Sequence, residues 1–149
     1  MNDNYIDILR KRTDIEKVYK SIVQKYSGKE NALEKTDSKI IKEIIEKNGY
    51  SCSYNKSEKF YKVILTDGKY KIGYNILIRY GVVDFVLFIF NDEECIGGES
   101  IDWLLLDEEE RREYELPGFS TYEELEEILL PMFEVIETFE PEKIFDQIE

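Results

Sequence analysis

Phe60-Tyr-Lys-Val-Ile-Leu-Thr66, Asp67-Gly68, Lys69-Tyr-Lys-Ile-Gly-Tyr-Asn-Ile-Leu-Ile-Arg-Tyr80, Gly81, Val82-Val-Asp-Phe-Val-Leu-Phe-Ile-Phe90: the reading of this stretch decides the fold. Between residues 69 and 80 the even positions are Tyr70, Ile72, Tyr74, Ile76, Ile78 and Tyr80. The odd positions, Leu77 apart, are polar or glycine. A period of two predicts a strand with one face on a core and the other in water. Asp67-Gly68 between two such runs favours a type I′ hairpin, whose two central residues need positive φ. Phe85 to Phe90 is unbroken apolar sequence, which predicts an interior strand covered on both faces. An antiparallel meander is therefore the centre of the chain.

Upstream the period changes. Tyr5, Ile8, Leu9, Ile15, Val18, Tyr19, Ile22, Val23 and Tyr26 recur at steps of three and four, one face of an α-helix. Thr13-Asp-Ile-Glu16 reads as a capping box, so this stretch can break in two near residue 13. Ser27-Gly28 ends it, and Asp37 or Thr36 caps a second helix carrying Ile40, Ile41, Ile44 and Ile45 before Asn48-Gly49 closes it. The lysines on the outer faces of both helices read as solvated. Tyr50 to Tyr54 alternates as a short strand.

Downstream, Asn91-Asp-Glu-Glu94 is a charged turn and Gly97-Gly98 suggests a bulge at a sheet edge. Ile101 to Leu106 is either a strand or one helical turn, since six residues do not distinguish the periods. Ser120-x-x-Glu123 and Thr121-x-x-Glu124 open a helix with Tyr122, Leu125, Ile128, Leu129, Met132, Phe133 and Ile136 on its apolar stripe. Pro131 should kink or split it, and residues 142–148 can add a last turn. Two leading helices, four or five antiparallel strands and one trailing helix make an α+β class, with helices on one face of the sheet, in a single domain over residues 1–149.

The composition is 42% apolar and 36% charged, with no run of the ~18–20 apolar residues a membrane crossing needs. Met1-Asn-Asp-Asn-Tyr-Ile-Asp7 lacks the basic start and apolar centre of a signal peptide, so a cytoplasmic location is expected. Cys52 and Cys95 have no metal-type spacing and should stay as thiols. The net charge of −13 is unevenly divided. Residues 1–80 hold 17 Lys/Arg against 11 Asp/Glu, and residues 81–149 hold 3 against 22. An acidic field speeds the approach of basic partners and disfavours nucleic acid as a direct ligand.

Histidine is absent, which removes the commonest general base and metal ligand. No Ser-x-x-Lys stands in a catalytic setting, no glycine pattern cradles a phosphate, and Asp92, Glu93 and Glu94 do not form a calcium loop. No enzyme activity, cofactor or metal is expected. The acids of the second half, by contrast, have few basic neighbours in sequence. Asp92, Glu93, Glu94, Asp102, Asp107, Glu108, Glu109, Glu110 and Glu113 are candidate partner-binding residues. Trp103 and Tyr114 lie within them as aromatic anchors, although Trp103 reads equally well as core.

Ile96-Gly97-Gly98, a hydrophobic run, a charged spacer, then Pro117-Gly-Phe-Ser-Thr-Tyr-Glu-Glu-Leu-Glu-Glu-Ile-Leu129 with Phe133 a turn later resembles the C-terminal pattern of small acidic immunity-type proteins of bacterial polymorphic and contact-dependent toxin systems. The resemblance spans roughly residues 94–140; Glu99-Ser100 stands where such sequences often have proline and bulky residues. It implies a non-enzymatic protein that binds a cognate basic toxin, often a nuclease, and blocks its active site. Two other classes remain: a DNA-mimic or regulatory adaptor using the acidic helix, and a histidine-free hydrolase with carboxylates in a deep pocket.

Overall fold

Alternation in the central stretch builds the sheet. A computed structural model describes residues 3–147, with side chains from residue 5 onward. Five strands, β1 (Cys52–Asn55), β2 (Phe60–Asp67), β3 (Tyr70–Arg79), β4 (Val82–Asn91) and β5 (Glu94–Ser100), pair antiparallel in sequence order, a plain meander. Seven helices accompany it among the described residues: α1 (Asp3–Arg12), α2 (Ile15–Tyr26), α3 (Ser38–Lys47), α4 (Ile101–Leu105), α5 (Glu108–Glu113), α6 (Tyr122–Glu137) and α7 (Pro141–Phe145). The α+β class holds, with more and shorter helices than the sequence suggests. Residues 101–105 are helical rather than a strand, and the last turn predicted at 142–148 is α7, residue 148 lying outside the described residues.

Local chemistry explains most boundaries. Asp37 caps α3 by accepting from the Lys39 N–H, and Gly49 closes it at φ 91°. The break between α1 and α2 falls where expected, but Thr13 makes no capping box. Its hydroxyl donates to the Leu9 carbonyl and accepts weakly from the Ile15 N–H. For α6 the cap is Thr121, which accepts from the Glu124 N–H, while the Glu124 carboxylate accepts from the Ser120 N–H. Pro131 neither splits nor ends this helix, which runs unbroken for 16 residues.

The hairpin chemistry is displaced from where the sequence put it. Asp67 and Gly68 are not in the left-handed region; the two-residue turn with both φ positive is Tyr80–Gly81, at 54° and 77°. Gly81 also leaves no space for a Cβ, which would lie 2.5 Å from that of Ala32. The bulge expected at Gly97-Gly98 sits one residue earlier, at Ile96, where the β4–β5 register slips.

Helices cover one sheet face only. Tyr61, Val63, Ile72, Tyr74, Ile76, Val83, Phe85, Leu87 and Ile89 point to that side and pack with Leu125, Leu129, Met132 and Phe133 of α6 and the apolar faces of α1 and α2. The Tyr74 hydroxyl, buried in this layer, donates to the Met132 carbonyl at 3.0 Å and ties β3 to α6. Pro117–Phe119 continues the sheet edge beyond β5: Val83 N–H donates to the Pro117 carbonyl and Gly118 N–H to Tyr26, both at 2.9 Å. β4 is interior by pairing, yet its Val86, Phe88 and Phe90 point away from the helices. The double covering expected of Phe85 to Phe90 is therefore not present.

Candidate functional site

The eleven predicted contact residues fall in two places. Asp92 and Glu93 form the β4–β5 turn, with Asp92 at φ 55° and its N–H on the Lys69 carbonyl at 2.8 Å; Glu94 opens β5. The other eight lie on α4, α5 and the residues flanking α5, at the far end of the seven-residue β5. About 20 Å of strand separates the groups, so no small ligand touches both.

The α4–α5 corner is the better-defined group. Serine 100 ends β5 by donating its hydroxyl to Asp84 at 2.7 Å, and the chain turns into α4. Ile101 and Leu105 sink into the core, which turns Trp103 outward. Trp103 is 63% exposed, so the core reading of this residue does not apply. The Arg111 guanidinium lies over its indole ring, 4.1 Å from the centroid, and also donates to the Leu106 carbonyl. Arg111 was not singled out by sequence reasoning. Its signal was its scarcity, as one of three bases in the second half.

Around Trp103 the carboxylates differ in state. Asp107 and Glu110 form a reciprocal capping box on α5, and Glu110 also pairs with Lys20 at 3.2 Å. Glu108 pairs with Arg112. Asp102 is half-buried; burial raises its pKa, the Tyr19 hydroxyl at 3.4 Å and Arg111 oppose the rise, and Asp84 adds to it. Glu109 and Glu113 have no ion-pair partner among the described residues, nor do Asp92, Glu93 and Glu94. Tyr114 is partly buried, with its side chain packed against the core.

The acidic helix needs the larger correction. Its outer glutamates, read as lacking counter-ions, meet the lysines read as solvated. Glu124 pairs with Lys29 at 2.7 Å, Glu126 with Lys47 at 3.2 Å, and Glu127 with Lys25 at 3.9 Å. Tyr26 donates to Glu127, Asn48 to Glu126 and Tyr50 to Glu137. Glu124 is held down to about 2, first by the Lys29 hydrogen bond and then by the Ser120 N–H. Of the outer-face glutamates Glu123, Glu124, Glu126, Glu127, Glu134 and Glu137, Glu123 and Glu134 lack such a contact among the described residues. Opposite charges of the two halves thus meet within the helical layer, and much of the acidity of α6 is paired there.

Among the described residues no group of three or more carboxylates or thiols is placed to hold a metal ion, and no helix is long and apolar enough to cross a membrane. Comparison of the chain with protein-family models, with curated proteins and with solved structures finds no match.

Proposed function

We propose that the protein is a non-enzymatic inhibitor of the immunity type that neutralises a basic toxin domain by binding over its active site. The observation that carries this reading is Trp103: a large aromatic side chain held outward at a corner that also presents the unpaired carboxylates Glu109 and Glu113. Interfaces concentrate their energy in such aromatic anchors, and a surrounding acidic field brings a basic partner to them quickly. The contact surface comprises Asp102, Trp103, Asp107, Glu108, Glu109, Glu110 and Glu113, with the Asp92–Glu94 turn as a remote contribution to the field. A DNA-charge mimic or adaptor would use the acidic α6, and the pairing of that helix with Lys25, Lys29 and Lys47 weighs against this second reading.

Capture of basic proteins from the native host, followed by titration with Trp103→Ala, tests the proposal. Truncating a central anchor should weaken binding by about tenfold or more, equivalent to roughly 1.4 kcal/mol. Binding of the captured protein with undiminished affinity to Trp103→Ala would place the contact elsewhere.

A further inference from the structure

The sheet face opposite the helical core is apolar, with side chains that are mostly half-buried and outside that core. Alternation puts Phe60 and Ile64 of β2, Leu77 of β3, and Val86, Phe88 and Phe90 of β4 on it, and none of these belongs to the core packed beneath the helices. They form one patch. Phe88 pairs with Gly73 on one side and Gly98 on the other, and a Cβ at Gly73 would lie 2.7 Å from the Phe88 ring. Two glycines thus make a shallow seat in which Phe88, only 5% exposed, lies beside Phe90 and under the Lys62 ammonium.

We propose that this face is the interface of a homodimer, in which two copies stack sheet on sheet. Charge selects the second copy as occupant. The protein carries −13 overall, and like-charged copies repel wherever carboxylates face each other. The open face is near neutral. It holds Lys62, Lys71 and Arg79 against Asp67 and Asp84, with Lys71 paired to Asp67 at 3.9 Å and Asp84 bonded to Ser100. Glu94 and Glu99 of β5 pair with Asn91 and Leu87, positions of the opposite parity, and so point away from it.

Size agrees. Strand spacing and rise give the face about 500 Å², so a dimer buries about 1,000 Å² in total, where specific interfaces begin. Asn75 lies at its centre between Lys62 and Val86, and its Oδ1 is shielded without a donor.

Sedimentation equilibrium of the full chain, at concentrations up to about 200 µM and again in about 1 M NaCl, tests the proposal. The expected mass is twice 17.7 kDa, retained at high salt because the contact is apolar. The double variant Leu77→Glu, Val86→Glu should be monomeric, with its circular dichroism unchanged. If that variant does not fold, hydrogen exchange of the wild-type chain decides: amide protection in β3 and β4 should rise with protein concentration. A wild-type chain that stays monomeric overturns the proposal, even if some other protein then proves to occupy the face. So does an undiminished dimer in the double variant, or exchange that is independent of concentration.

Discussion

Tyr80 holds φ 54° while its ring is 78% exposed, so the turn carries backbone strain with little packing to offset it. A non-glycine residue in that region costs about 1 kcal/mol, and asparagine tolerates it better than tyrosine does. Tyr80→Asn should therefore raise stability by roughly 0.5–1 kcal/mol in a denaturant titration. Gly73 is the opposite case: an added Cβ would meet the Val63 carbonyl oxygen at 2.1 Å, and Gly73→Ala should cost about 2–4 kcal/mol in the same measurement.

Two carboxylates give pH signatures of opposite sign. Glu124 binds its proton less readily folded than unfolded, so its pairing with Lys29 contributes stability above pH 4.5 that is lost as the pH falls towards about 2. Glu124→Gln should lose about 1 kcal/mol at neutral pH and almost nothing near pH 2. Asp102 is raised, chiefly by burial, so its charged form is a liability whenever the pH lies above its folded pKa. Asp102→Asn, which keeps an acceptor for the Tyr19 hydroxyl, should raise the thermal midpoint at neutral pH, with the gain disappearing as the pH falls through the aspartate range.

Among elements, legibility depended on whether the signal was local. The alternation of Tyr70, Ile72, Tyr74 and Ile76 reports one buried face, and those side chains are buried. Caps at Asp37 and Thr121 were readable because donor and acceptor lie within three residues. The apolar run from Phe85 to Phe90 was not decisive, since an uncovered apolar face and a covered one have the same composition. Pro131 was read as a kink or a split, and α6 is not split: Leu129, Met132 and Phe133 around it are packed in the core along one continuous helix. The bond from Tyr74 to the Met132 carbonyl couples that helix to β3. Tyr74→Phe should cost about 1 kcal/mol and leave the fold intact by circular dichroism.

At the scale of the whole molecule, charge is layered more finely than the two halves of the chain suggest. Pairs such as Lys29–Glu124 and Lys47–Glu126 join residues about 80–95 positions apart, so they are visible only after folding. Sequence counting therefore overstated the free acidity of α6 and gave no sign of Arg111 over Trp103. Glu109 and Glu113 near Trp103 and Asp92 to Glu94 at the other end of β5 are among the acids without an ion pair in the described residues, and they are the ones the proposed contact draws on. The salt dependence of the association rate between the protein and its captured basic partner tests this most directly. A rate falling by about tenfold between low and physiological ionic strength, with a shallower slope in Glu109→Gln, Glu113→Gln, is the predicted result. A rate indifferent to salt, or a slope unchanged in that double variant, would contradict it.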